Sequence, residues 1–414
     1  MRTSSIRRSR ARVTASAALG MLLVGIASVP AHAAGVRDRQ WHLDAFGAEE
    51  IWQISTGKGV TVAVIDSGVE QGIPDLKGQI LKGKDLAPEE EGDEFTDYTG
   101  HGTGMAALIA GTGAADGGNG AFGLAPGAKI LPIRIPGADA GDKSQAAADR
   151  EFNTVMPEAI RFAVDSGAKV LNISQGATAG SQQLTDAVKY ALDKGALVFA
   201  SVGNTGDKTN KLEYPGATPG VVGVGAVDKK ATRIPMSQYG PQVDVVAPGK
   251  DMVAACSGGR VCTTTGTSDS TALASAAAAL IWSKHPDWTN NQVLKVMLNT
   301  IAKPSQGEAR SDFIGYGAVR PLRALKTPGD PGPAGVRPIK DLEEPLTAAP
   351  SASASASADS ATSAPSAPAP APAPATQASG DDGGNTGLWI GLGIGAAVLI
   401  GAAIAVPVLR SRRS

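Results

Sequence analysis

Five near-continuous apolar runs recur through the first three hundred residues: Val60 to Ile65, Lys129 to Ile135, Lys169 to Ile173, Ala196 to Val202 and Val221 to Val227. Runs of this kind, bounded by turn residues, predict strands buried on both faces. Helical spacings separate them. His101 to Ile109 is rich in small residues, and Glu151 to Ser166 repeats apolar side chains at Val155, Ile160, Ala163 and Val164. Gln182 to Lys194 is closed by Gly195, and Thr271 to Trp282 is Ala-rich throughout. Asn290 to Ile301 carries Val293, Val296 and Met297 on one side. Strands alternating with helices predict an α/β fold with a mostly parallel sheet covered on both faces. In such sheets ligands gather beyond the carboxyl ends of the strands. Asp66, Ser174 and Asn204 each fall just past a predicted strand end.

The pattern breaks at both termini. Arg2, Arg7, Arg8, Arg10 and Arg12 precede an apolar stretch from Ala15 to Val29 and the small-residue sequence Ala31-His32-Ala33. That order predicts a signal peptide over residues 1–33 and a mature chain starting near Ala34, with Sec and twin-arginine export both open. Residues 34–59 form a short lead-in, and residues 60–326 the α/β domain. From about Thr327 the chain turns Pro-Gly-rich and then Ser/Ala/Pro-rich, which predicts a disordered or polyproline-like linker over 327–386. Residues 387–409 carry no charge and are long enough, at roughly 33 Å as a helix, to cross a hydrocarbon core. Arg410, Arg412 and Arg413 follow in a tail of residues 410–414 that the positive-inside rule places in the cytoplasm. The expected topology is single-pass in the cell membrane and its lipid bilayer, with the α/β domain outside.

Charge adds an exclusion. Lys+Arg number 38 and Asp+Glu 39, a net charge of −1, so no bulk field favours nucleic acid. Cys256 and Cys262 are the only cysteines. In an exported chain they are expected to pair, closing a small loop worth roughly 2 kcal/mol on chain entropy. They lack the neighbouring His or acidic residues of a zinc site. The acidic run from Glu89 to Asp97 reads as a solvated loop.

The candidate chemistry centres on Ser268, in Gly266-Thr267-Ser268 at the head of the Ala-rich helix. A serine there sits beside free N–H groups and the positive end of the helix dipole, which suits an oxyanion. A nucleophilic serine needs a base, and the base an orienting acid. His101 alone among the four histidines opens a helix within a Gly-rich motif, His101-Gly102-Thr103-Gly104. Asp66 ends a buried strand, where a carboxylate is costly unless paired, and an imidazole N–H is a suitable partner.

Val64-Ile65-Asp66-Ser67-Gly68, His101-Gly102-Thr103-Gly104 and Gly266-Thr267-Ser268, in that order, resemble the three signatures of subtilisin-like serine proteases. The resemblance runs from about Trp41 to Leu325. It includes Gly123-Leu124-Ala125-Pro126-Gly127-Ala128, Val246-Ala247-Pro248-Gly249 and Gly315-Tyr316-Gly317-Ala318-Val319. It implies the subtilisin-like three-layer α/β fold and peptide-bond hydrolysis by Asp66, His101 and Ser268. Asn204 is implied as the side-chain oxyanion donor. Ser174, Gln175 and Gly176 are implied as the segment that pairs with the substrate strand and walls its first pocket. The lead-in Gln40-Trp41-His42-Leu43-Asp44-Ala45, the Pro-rich linker and the C-terminal span resemble the mycosins, membrane-anchored subtilases associated with type VII secretion. That implies type VII secretion membrane components as partners, a polypeptide substrate, and a lead-in that wraps the domain without blocking its cleft. No cofactor is implied. Subtilases often bind calcium, but no ligand set in this sequence is assigned to it.

The chain departs from the family after the serine. It reads Asp269-Ser270-Thr271-Ala272, with a carboxylate beside the nucleophile and no Pro at Ala272. Asp269 is expected to favour the imidazolium of His101, giving weak or narrow activity. Two other functions compete. One is a scaffold subunit of a secretion complex in which catalysis is secondary. The other is a wall-binding module on a stalk, which accounts for the linker and span but not for the Asp66, His101 and Ser268 set.

Overall fold

A computed structural model describes residues 35–137, 144–304 and 309–342. The expected signal peptide, membrane span and cytoplasmic tail, and all of the linker beyond residue 342, lie outside the described residues. Among those described, no helix is long and apolar enough to cross a membrane.

The lead-in forms two short helices, α1 (Trp41–Phe46) and α2 (Ala48–Ile54). Strands β1 (Thr61–Asp66), β2 (Lys84–Asp85), β3 (Lys129–Arg134), β4 (Val170–Ile173), β5 (Leu197–Ser201), β6 (Val222–Val227) and β7 (Val245–Pro248) build one sheet in the order β2-β3-β1-β4-β5-β6-β7. Every pairing in it is parallel. The helices are α3 (His101–Ala110), α4 (Gln145–Asp165), α5 (Gln182–Asp193), α6 (Thr267–Lys284), α7 (Asn290–Thr300) and α8 (Pro321–Lys326). An antiparallel hairpin, β8 (Met252–Cys256) and β9 (Arg260–Thr264), precedes α6. This is the three-layer α/β arrangement expected from the alternating pattern.

The two faces of the sheet bury separate cores. On one, α4 and α5 cover Ala63, Ile65, Leu171, Ile173 and Val198. On the other, α3, α6 and α7 cover Val62, Val64, Phe199, Val222 and Val245. Helix α6 is buried around its whole circumference from Thr267 to Trp282. Its run of Ala276 to Ala279 lets it pass close to β4, β5, β6 and β7. Asn172 on β4, fully buried, donates to Ser174 Oγ and accepts from Ser275 Oγ of α6, tying the sheet to the helix beneath the strand ends.

Two sequence expectations change, while the lead-in packs on the domain as its apolar spacing implies. The lead-in is part of the core: Leu43 and Ile51 are fully buried, and Ser55 Oγ donates to Leu280 O. Residues 327–342 belong to the domain and not to a spacer. Gln292 Nε2, Asn299 Nδ2 and Thr289 Oγ1 hold the carbonyls of Gly332, Asp330 and Ala334, and Arg337 pairs with Asp341, whose carboxylate accepts from Gly220 N. The domain therefore runs past residue 326, because backbone groups met by side-chain partners offset the ordering of a Pro-Gly-rich chain. The acidic run is not simply solvated. Arg134 is buried at the end of β3 and needs a countercharge, which Glu90 supplies at 3.1 Å. Glu94 is buried too, accepting from Gly83 N.

Gln40 fixes the lead-in most tightly. Its buried amide donates to Phe122 O and Val253 O and accepts from Phe122 N. A Gln40→Ala variant strands these partners and is expected to lose about 2–4 kcal/mol of stability in chemical denaturation. A change within a few tenths of a kcal/mol would mean the lead-in is not held to the domain in this way.

Candidate active site

Because β1 and β4 are in register at Ile65 and Ile173, and β4 and β5 at Ile173 and Ala200, Asp66, Ser174 and Asn204 emerge side by side at one end of the sheet. Helices α3 and α6 start there as well, presenting His101 and Ser268. His101 Nδ1 lies 2.8 Å from Asp66 Oδ1. Gly102 makes that approach possible. A Cβ on it would fall 2.2 Å from Gly68 O and 3.0 Å from the Asp66 Cβ, so only glycine lets the first turn of α3 press against the turn after β1. Gly68, at φ +110°, in turn passes Thr96 O at a separation no side chain allows.

Asp97, read from sequence as one more solvated acid, holds this turn together. Its Oδ1 accepts from Ser67 Oγ, Thr99 Oγ1 and Gly100 N, and its Oδ2 from Thr103 N and Thr103 Oγ1. It thereby caps the free N–H groups of α3 and places a negative charge near their positive end. The Thr-Gly-His-Gly-Thr stretch just behind it was the available signal, since every one of its donors needs an acceptor.

Asp66 is fully buried, which on its own would raise its pKa. The charge of His101 and hydrogen bonds from His101, Ser67 N and Gln175 Nε2 outweigh this and hold it below the usual carboxylate range. Gln175 thus supports Asp66 with its side chain, a contact its place in a substrate-binding segment did not foretell. His101 is pushed up to about 9, chiefly by the Asp66 charge against the opposing effect of burial, with Asp269 and Asp97 adding to the rise. Asp269 itself is buried and driven up to about 6, moderated by a hydrogen bond from Thr264 Oγ1 and by the His101 charge.

Ser268, buried at the start of α6, donates from Oγ to Ser174 O at 3.2 Å. Asn204 Oδ1 accepts from Thr267 N and Thr267 Oγ1, which fixes the amide and leaves its Nδ2 as a donor. His101, Asn204, Ser268 and Asp269 line one cavity of about 400 Å³, with Cys256, Ser257 and Thr264 from the hairpin opposite. Cys256 and Cys262 are bonded, with Cα atoms 6.0 Å apart, and tie β8 to β9 along that wall. Among the described residues no group of three His, Cys, Asp or Glu side chains converges as a metal site. A hydroxyl, a carboxylate-backed imidazole and an amide donor around one cavity are the groups that acyl transfer requires.

Residues 57–317 match the subtilase family. The chain belongs to that family. It is 34% identical over 239 residues to an intracellular serine protease of Paenibacillus polymyxa, covering 56% of this chain and 70% of that protein. Among solved structures it is similar to the MycP3 protease of the type VII (ESX-3) secretion system, at 33% identity and a TM-score of 0.60 over 69% of this chain and 88% of that one. It is also similar to a chain in the periplasmic assembly of the ESX-5 inner membrane complex, at 29% identity and a TM-score of 0.62 over 75% and 88%. This subtilase is a serine endopeptidase related to the mycosins.

An imidazole must be neutral to accept a proton, and His101 is held protonated up to about pH 9. The rate of peptide cleavage, as kcat/KM, is therefore expected to climb with pH and level off only above about 9. Removing the neighbouring charge in Asp269→Asn should move that limb to lower pH, measured as a pH–rate profile. A profile identical to that of the parent chain would dismiss the Asp269 effect. Gly102→Ala should displace His101 and cost about 100-fold or more in kcat; near-parental turnover would contradict the close packing described above.

Proposed function

We propose that this subtilase is a membrane-anchored endopeptidase that acts outside the membrane on exported polypeptides, in association with a type VII secretion system. The observation that carries the reading is the Asp66–His101 pair at 2.8 Å, sharing one cavity with Ser268 and Asn204. In the proposed mechanism Ser268 Oγ rotates from Ser174 O to His101, which takes its proton as Oγ attacks the substrate carbonyl. Asp66 keeps the proton on Nδ1, so that Nε2 is the basic nitrogen, and stabilises the imidazolium that forms. Asn204 Nδ2 and the Ser268 N–H receive the oxyanion. His101 then protonates the leaving amine, and water reverses the sequence to release the acyl group. Ser174, Gln175 and Gly176 pair with the substrate strand. The C-terminal span would hold the domain at the bilayer.

The place in secretion rests on the similarity to the ESX-3 protease and to the ESX-5 periplasmic assembly chain. The second of these favours a parallel scaffolding role among the membrane components. Ser268→Ala separates the two roles. As a scaffold alone, the chain is expected to support complex assembly and secretion unchanged with the hydroxyl gone.

The direct test is fluorophosphonate labelling of the full-length chain in detergent. Labelling is expected in the parent chain and absent in Ser268→Ala. Asn204→Ala should still label yet lose about 100- to 1,000-fold in kcat on a cleaved peptide. A folded parent chain that fails to label would overturn the peptidase mechanism.

A further inference from the structure

A second cavity, of about 260 Å³, opens beside the one that holds Ser268. Gln175, Gly176, Ala177 and Thr178 form one wall, continuing from Ser174, whose carbonyl accepts the Ser268 hydroxyl. Ile135 and Gly137 after β3 and the α4 residues Gln145, Asp149, Glu151 and Phe152 form another, and Thr205, next to Asn204, and Glu213 complete the lining. A Cβ on Gly176 would lie 3.5 Å from Glu213 Oε2, and one on Gly203 would lie 2.6 Å from its carboxyl carbon. Glycine at 203 therefore leaves the space that this carboxylate occupies, and Gly176 lies in ordinary contact distance of it.

The carboxylate is held on one side and unmet on the other. Gln238, fully buried, donates from Nε2 to Glu213 Oε1 at 2.6 Å and to Thr205 Oγ1 at 2.8 Å, which fixes the group's orientation. Oε2, on the Gly176 side, has no hydrogen-bond partner among the described residues. No lysine or arginine among the described residues lines the cavity. The nearby Asp149 is already satisfied by Thr178 N, Thr178 Oγ1 and Gln145 Nε2. Burial raises the pKa of Glu213, against the Gln238 hydrogen bond, so ionisation here is costly until a positive group arrives.

We infer that Glu213 sets the specificity of the endopeptidase by receiving the guanidinium or ammonium group of an arginine or lysine placed immediately before the scissile bond. The preferred substrates are then polypeptides cut after a basic residue. The cavity's position decides which substrate residue enters it. A chain laid along Ser174-Gln175-Gly176 with its carbonyl at Ser268 turns the side chain preceding that carbonyl between Gly176 and Thr205. A guanidinium there gains a charge-assisted hydrogen bond to Oε2, while an aliphatic side chain would displace water from the half-buried carboxylate and give it no partner. The inference rests on the endopeptidase reading above, and the test is built to tell the two apart.

Full-length protein is assayed on peptides that differ only in the residue before the cleaved bond: Arg, Lys, Leu, Ala or Glu. The Arg and Lys peptides are expected to exceed the Leu peptide at least tenfold in kcat/KM, and Glu213→Gln to lower that ratio at least tenfold. Benzamidine binding, measured by calorimetry, needs no turnover and should weaken at least tenfold in the same variant. A protein that cleaves but treats Arg and Leu alike, or prefers Ala because the carboxylate merely fills the space, overturns the role of Glu213. So does a parent chain that binds no benzamidine. A chain that binds benzamidine through Glu213 yet neither labels with fluorophosphonate nor cleaves would instead overturn the endopeptidase mechanism, leaving the cation pocket standing.

Discussion

Asp66 has no surface in contact with water, and a carboxylate so placed is tolerable only with a positive or donating partner. Much of the local architecture serves to deliver that partner. Strand β1 carries the carboxylate to the sheet end, and α3 must begin within one turn of it. For α3 to begin there its first N–H groups need an acceptor, which is Asp97, and its first turn needs a contact surface without side chains, which is Gly102 against Gly68. Ser67 bridges the two acids, donating to both. The imidazole is thus gripped through backbone and carboxylate contacts that lie behind it, leaving its open edge toward the cavity.

The same concentration of acids gives the site its electrostatic character. Asp66, Asp97 and Asp269 all favour a charged His101, and burial opposes them. A charged imidazole cannot accept a proton, so these acids shift proton transfer from Ser268 toward higher pH. Asp269, the residue after the nucleophile, contributes to that shift.

Much of the sheet was legible because buried parallel strands must be apolar along their length, and β1, β3, β4, β5 and β6 are. The residues at their ends were legible for the same reason, since a polar side chain just past an apolar run stands out. Strand β7 is only Val245–Pro248, too short to separate from the Val-Ala-Pro-Gly motif that overlaps it. Strand β9 is largely exposed, so no burial wrote a pattern into Arg260–Thr264. Asp97 and Glu90 were hidden by their company: a run of acids reads as solvated, and only the fold shows that Arg134 and the start of α3 draw particular members inward. Glu213 lies in a loop without periodicity, and its meaning depends on Gly176, which comes thirty-seven residues earlier in the chain.

The packing of the lead-in has a consequence for control. Where an inhibitory segment lies across a cleft, cutting it away switches an enzyme on. Here Gln40, Leu43, Ile51 and Ser55 are built into the layer beneath α6 and the loop at Phe122, and the cavity at Ser268 has no lead-in residue in its lining. Clipping this segment would therefore erode the enzyme where it releases others. Cleavage within residues 40–55 is for that reason a route to loss of the site, since these residues hold the layer beneath α6 and not the mouth of the cavity.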